Sequence, residues 1–302
     1  MNDIIIIGGG PAGLTAAIYA SRAGKSVLLI EKQSCGGQIV TSPKVENYPG
    51  IPVVSGFEYG ETLKKQAKSF GAQIISENVL SIEVKDGVRI AKTAKNSYEG
   101  KTIIYAAGAE KRKLGIEREE ELIGSGISYC AYCDGNFFRG RTAAVVGGGN
   151  TALDDALYLS EICKKVYLIH RRHQFRGDEA TVERLRKIPN VEIICGYTVD
   201  RLIGDFMLSA IHIKSTEDKE PRMIETDGLF IAIGNTPGNE NFKEWFEIDT
   251  DGYIVTDEAC RTKTPGIFAA GDCRQKNLRQ LVTAAADGAI SAVSAVEYIN
   301  NR

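Results

Sequence analysis

A β-branched strand that runs through a glycine-rich turn straight into a helix occurs twice in this chain, and few folds admit that pattern even once. Ile4 to Ile7 lead into Gly8-Gly9-Gly10-Pro11-Ala12-Gly13 and the helical run Leu14 to Arg22, while Ala143 to Val146 lead into Gly147-Gly148-Gly149-Asn150-Thr151-Ala152. These are the G-x-G-x-x-G and G-x-G-x-x-A forms of the turn that seats a dinucleotide pyrophosphate. The first glycine (Gly8, Gly147) makes the tight turn, and the second (Gly10, Gly149) lets phosphates reach the backbone. The third small residue, Gly13 in the first copy, lets helix pack on strand. Free amides and the helix dipole then hold the negative charge. The copies stay in step beyond the turn: Ala17, Tyr19, Ser21, Lys25, Val27, Leu29 and Ile30 recur as Ala156, Tyr158, Ser160, Lys164, Val166, Leu168 and Ile169. A later strand, Ile103 to Gly108, resembles Leu229 to Gly234. Two copies of one unit imply an α/β chain with two Rossmann-like dinucleotide-binding domains, and hence two different dinucleotides.

The copies differ at one telling position. Glu31 ends the second strand of the first copy, where a carboxylate accepts from a ribose 2′-hydroxyl. In the second copy that place is taken by His170, followed by Arg171-Arg172 and then Arg176. Guanidinium groups there suit a 2′-phosphate, so the second copy is expected to take NADPH in preference to NADH. The 302 residues leave room for two domains, and a net charge of −2 offers no basic footprint for nucleic acid or a membrane surface. Met1-Asn2-Asp3 leads directly into the first strand and the apolar runs are short, so neither signal peptide nor membrane span is expected. Seven cysteines at scattered spacing do not form a secreted disulfide framework, which makes a cytoplasmic protein the expectation.

Between the two copies lies Ser128-Tyr129-Cys130-Ala131-Tyr132-Cys133-Asp134-Gly135. A Cys-x-x-Cys is either a redox pair or half a zinc site. The other five cysteines stand singly, and His170, His173 and His212 supply no ligand pair of matching spacing, which favours the redox pair. Asp134 is placed to serve as an acid–base group or as a helix N-cap, and Phe137-Phe138 as a docking anchor or as core. Two loops, Cys35-Gly36-Gly37-Gln38 and Glu46-Asn47-Tyr48-Pro49-Gly50, carry glycines and amides suited to close approach to a flat polar ring. Residues 73 to 108 alternate short strands with turns expected at Asp86-Gly87 and Glu99-Gly100. A hairpin and strand are expected over Asp251 to Thr256. Near the C-terminus, Gly266 to Asp272 forms a buried strand ending in a carboxylate. Arg279-Gln280 then opens a last helix expected to reach about Tyr298. The chain thus returns to complete the first domain, making the second an insertion. The expected division is 1–112 with 241–302, and 113–240.

With these motifs assembled, the chain closely resembles the low-molecular-weight bacterial thioredoxin reductases over nearly its whole length. The resemblance implies FAD in the first domain, with Glu31 on the adenosine ribose, Gly37, Gln38 and Asn47 on the flavin side, and Asp272, Arg279 and Gln280 at the ribityl chain and ring edge. It implies NADPH in the second domain, at Gly147, Gly149, Asn150, Thr151, His170, Arg171, Arg172 and Arg176. It assigns Cys133 to the flavin, Cys130 to the partner disulfide and Asp134 to acid–base work. It further implies a homodimer, a large hinge rotation, and thioredoxin as the electron acceptor. Another small dithiol protein, glutaredoxin-like, and a flavin redox sensor without turnover are the alternatives. Tyr132 and Ala107 stand where the family more often has Thr. Cys273 is unusual, and is expected to respond to oxidation.

Overall fold

The computed structural model describes residues 1–42, 44–217 and 219–301, apart from the side chain of Thr41. The chain divides into two compact units, Met1–Glu110 with Thr236–Arg302, and Lys111–Asn235.

The first unit begins with β1 (Asn2–Ile7), α1 (Pro11–Arg22), β2 (Val27–Glu31), α2 (Gly56–Ser69) and β3 (Gln73–Ser76). It continues with β4 (Val79–Lys85), β5 (Val88–Thr93), β6 (Ser97–Tyr105) and β7 (Ala109–Lys111). Strands β3, β2, β1 and β6 lie side by side and parallel, with Ile4 opposite Val27 on one side and Thr102 on the other. Ile4 to Ile7 are all buried because this central strand is covered on both faces, which is why it has an unbroken apolar run. The period of two then sorts the side chains. Ile4, Ile6, Leu29 and Ile104 pack with α1, while Ile5, Ile7, Leu28, Ile30 and Ile103 form a second core with Tyr105 and Phe246.

The second unit contains β8 (Ile127–Ser128), α3 (Ala131–Asp134), β9 (Thr142–Gly147), α4 (Asn150–Ile162), β10 (Lys165–His170), α5 (Glu179–Arg186) and β11 (Val191–Cys195). After these come β12 (Tyr197–Ile203), β13 (Ala210–Ser215), β14 (Arg222–Glu225) and β15 (Gly228–Ala232). Its parallel sheet has the order β11-β10-β9-β15-β8, and β12-β13-β14 form a separate antiparallel sheet. Ala143, Val145, Leu168 and Phe230 face α4, while Ala144, Val146, Ile169 and Leu229 meet the antiparallel sheet.

The chain then re-enters the first unit through β16 (Asn235–Pro237), which pairs with β7, and reaches β17 (Ile267–Ala269) and α6 (Leu281–Asn300). Strand β17 pairs in parallel with the end of β6, Ile267 opposite Ile103. Among the described residues both units therefore have five parallel strands in the same arrangement, but take the fifth from opposite ends. The first unit takes β17 from its C-terminal segment, and the second takes β8 from the chain that enters it. The dithiol follows β8 directly, and Gly271-Asp272 follow β17.

Three local expectations need correcting. Glu99-Gly100 is not a turn. Gly100 lies inside β6 opposite Asn2 and Arg89, and a Cβ there would lie 2.9 Å from the Ile5 side chain, so glycine serves close packing. The stretch Asp251 to Thr256 forms a turn in which Asp249 accepts from the Asp251 and Tyr253 amides. Only isolated bridges follow it, Ile254 to Ile248 and to Arg274. The first helix starts at Pro11 rather than Leu14, as proline's fixed φ at the first helical position allows.

Candidate active site

Cys130 and Cys133 form a disulfide with Cα atoms 5.3 Å apart. Cys130 caps α3, its Sγ accepting from the Cys133 amide at 3.2 Å. Ser128, at the end of β8, fixes both ends of this short helix. Its Oγ accepts from the Cys130 amide at 3.0 Å and lies 2.6 Å from Asp134 Oδ2. Asp134 Oδ1 is buried without a hydrogen-bond partner. Burial pushes the Asp134 carboxyl above the usual range, with the Ser128 hydrogen bond opposing. A carboxyl so held can keep a proton and hand it to a leaving thiolate. Among the described residues no group of three or more His, Cys, Asp or Glu could hold a metal ion, and Cys130 and Cys133 are bonded to each other. Tyr132 is half exposed and stacks on Tyr158 of α4, ring centroids 4.7 Å apart. The aromatic pair splits: Phe138 is core against Phe230 and Gly228, whereas Phe137 is 43% exposed.

At the first glycine turn there is no room for a side chain at Gly8 or Gly13. A Cβ on Gly8 would lie 2.3 Å from the Ala106 carbonyl oxygen, and one on Gly13 1.9 Å from that of Gly8. The Gly36-Gly37-Gln38 loop lies against this turn. Gly36 donates to the Gly9 carbonyl at 2.8 Å, and a Cβ on Gly37 would lie 3.0 Å from Gly10 Cα. Gln38 donates through Nε2 to the Ala109 carbonyl. Glu31 accepts from the Gly9 amide through one oxygen and from Gln33 at 2.8 Å through the other. Asn47 and Gln280, 233 residues apart, meet as Asn47 Nδ2 donates to Gln280 Oε1 at 3.2 Å. Gln280 also caps α6 in a reciprocal box with Thr283. The Arg279 guanidinium lies over the Tyr253 ring, 3.7 Å from its centroid, and its Nε is buried without a hydrogen-bond partner.

Near these residues is an ion cluster that the sequence reading missed. Asp287 of α6 accepts from the Gly271 amide at 3.0 Å and pairs with Arg274 at 2.7 Å and Lys276 at 2.8 Å. Lys276 also lies 3.6 Å from Asp272. The signal was present as an acid within the apolar stripe Ala284, Gly288, Ser291, Ala292 and Ala295. Cys273 does not fit the expectation of oxidation. It is fully buried, donates to the Ala270 carbonyl at 3.2 Å, and burial pushes its thiol up to about 12.

In the second unit a Cβ on Gly147 would lie 2.3 Å from the Ala232 carbonyl oxygen, whereas Gly149 is open. Asn150 Oδ1 accepts from the Asp178 amide at 2.8 Å, and Thr151 is exposed in the first turn of α4. His170 is buried with its ring against Gly148 and stacked on Phe175, ring centroids 4.9 Å apart. Burial lowers its pKa, opposing a charge on the ring. Arg171, Arg172 and Arg176 are exposed, and among the described residues no carboxylate pairs with them. The Arg176 amide donates to the Gly148 carbonyl at 2.7 Å, which ties this basic loop to the glycine turn.

Residues 2–288 match the family described as pyridine nucleotide-disulphide oxidoreductase. The thioredoxin reductase of Treponema pallidum is 44% identical over 299 residues, covering 99% of this chain and 97% of that protein. That of Listeria innocua is 43% identical over 300 residues, covering 98% and 93%. The crystal structure of thioredoxin reductase from Streptococcus pyogenes superposes with a TM-score of 0.94 at 39% identity, covering 100% of this chain and 99% of that one. The chain therefore belongs to the pyridine nucleotide-disulphide oxidoreductase family, among its thioredoxin reductases.

Proposed function

We propose that the chain uses NADPH to reduce the disulfide of thioredoxin, through FAD and the Cys130–Cys133 pair. FAD and NADPH are the cofactors of this family. The first unit fits FAD: its glycine turn has no room for a side chain at Gly8 or Gly13 and stays open at Gly10, and Arg279 Nε is a buried donor without a partner of its own. Glu31, Gly37, Gln38, Asn47, Asp272, Arg279 and Gln280 would line that site. The second unit fits NADPH, since the open Gly149 turn lies beside three solvated guanidinium groups. FAD, when bound, supplies the two-electron relay between a nicotinamide and the disulfide.

The chain's own residues do the rest. Once the pair is reduced, the Cys130 thiolate attacks one sulfur of the partner disulfide, and the partner's other sulfur leaves as a thiolate. The Cys133 thiolate then displaces the partner from Cys130, restoring the Cys130–Cys133 bond. Asp134, a carboxyl raised by burial beside the pair, provides a proton for the departing sulfur. The observation that carries this reading is the Cys130–Cys133 disulfide anchored through Ser128 to Asp134, a half-buried residue whose Oδ1 is enclosed.

NADPH-driven reduction of a panel of protein disulfides tests it. Thioredoxin should turn over fastest, and a faster glutaredoxin-like acceptor would change the partner. The working form is proposed to be a cytoplasmic homodimer, in keeping with the exposed Val282, Ile290 and Val293 on α6. Sedimentation at micromolar concentration should give twice the 32.8 kDa chain mass. Among the described residues no helix is long and apolar enough to cross a membrane.

A further inference from the structure

A second and more deeply buried carboxyl group lies at the dithiol, and the reaction as described leaves it without a task. Asp155 is on α4, only 4% exposed, on the face that carries Ala152, Ala156 and Leu159 into the core. That face packs on the dithiol helix. Tyr158 stacks on Tyr132, and a Cβ on Gly135 would lie 2.8 Å from the Tyr158 ring. The amide facing the Asp155 carboxylate is that of Ala131, one peptide bond from Cys130. Among the described residues, the charged and titratable groups around it are Lys111 from β7, Asp154 beside it on α4, Tyr132 from α3 and Tyr158 from α4. Asp134, at the other end of α3, is engaged by Ser128.

We propose that Asp155 is a positioning residue for the dithiol: its charge, applied beside the Ala131 amide at the head of α3, disfavours the Cys130 thiolate and makes the reduced pair a stronger electron donor. A negative charge in a dry site opposes a second one nearby, so an ionised Asp155 destabilises the reduced, thiolate-bearing form relative to the uncharged disulfide. Protonated, it exerts no such effect. Burial lifts its pKa to about 7 against the Ala131 amide and Lys111, so the influence turns on within the neutral range. The inference rests on the dithiol reading given above.

The test equilibrates the full-length, FAD-loaded protein with a dithiothreitol redox buffer and counts alkylated Cys130 and Cys133 by mass. The buffer dithiol closes to its disulfide as the Cys130–Cys133 bond breaks, and its two protons pass to the protein sulfurs or to solvent. At pH 8.5, Asp155→Asn should favour the reduced protein about tenfold over wild type, equivalent to about 30 mV. At pH 5.5 the two should agree within about twofold, because the wild-type carboxyl is then neutral. Asp155→Glu should restore the wild-type values at both pH values. Equal gaps at both pH values would mean a packing role and overturn the proposal, as would no gap at either. Should Asp155→Asn not fold, Lys111→Met supplies the test. Removing that cation should move the bend of the pH curve upward, and an unmoved bend overturns the proposal. A wild-type pair that exchanges with no dithiol would instead remove the underlying reading.

Discussion

At the scale of single residues, charge and burial set the chemistry. Arg171, Arg172 and Arg176 stand in solvent beside a glycine turn whose counterpart has an acid, so their discrimination should be electrostatic. Arg171→Ala should weaken NADPH binding by about 1.5–3 kcal/mol and leave NADH nearly unchanged, as steady-state kinetics with both donors would report. Asp134→Asn keeps the shape but not the proton. Thioredoxin reduction should fall about 10²- to 10⁴-fold while the KM for NADPH holds. Asp155 has a consequence for stability as well as redox. Its folded pKa of about 7 lies above the unfolded value of 3.8, so the folded chain retains a proton that the unfolded chain loses. This stability is fully present below the unfolded value and is lost as pH rises towards about 7. Asp155→Asn should therefore raise stability at pH 8 by roughly 2–4 kcal/mol, with little change at pH 4, in urea titrations at the two pH values.

At the scale of elements, the first nucleotide site depends on how closely α1 and α6 approach. A Cβ on Gly288 would lie 2.2 Å from the Ala12 carbonyl oxygen, within the glycine turn itself. Gly288→Ala should cost about 1–3 kcal/mol by overpacking, and dialysis should show faster loss of FAD. Asp287 joins the same helix to the Gly271 turn through its pairs with Arg274 and Lys276. Asp287→Ala removes the carboxylate that Arg274 and Lys276 share, leaving Lys276 only Asp272 at 3.6 Å, so chemical denaturation should register a loss of about 3–5 kcal/mol. An unchanged midpoint would show that solvent reaches the cluster.

At the scale of the whole molecule, the dithiol and the second glycine turn belong to one compact unit, and the first glycine turn to the other. With the nicotinamide at the second turn and the flavin at the first, as proposed, one unit must bring both a nicotinamide and a disulfide to the same flavin, and also release the disulfide to a protein partner. A rotation between two discrete states about the crossings at 110–111 and 235–236 would meet all three demands. A crosslink fixing the dithiol at the flavin should block flavin bleaching by NADPH, and one fixing the nicotinamide there should permit it. Equal turnover of both locked forms at the wild-type rate would exclude rotation from the cycle.

The sequence by itself determined what depends on local pattern. The glycine turns, the strands Ile4 to Ile7 and Val27 to Glu31, and the dithiol with its acid were legible because sterics and short-range spacing fix them. So was the exchange of Glu31 for His170 and its arginines, since an internal repeat supplies its own comparison. Tertiary structure decided whatever depends on which distant segments meet. The Asn47–Gln280 bond spans 233 residues, and no local rule anticipates it. That β8 and β17 fill the same place from opposite ends of their units follows from sheet pairing, which hydrogen bonds settle only once the strands are side by side. Helical spacing put Asp155 and Asp287 on apolar faces, so a periodicity argument could have flagged both. Only the packed interior showed that one is held by two cations while the other faces an amide beside the dithiol, because burial and partners are properties of the assembled chain.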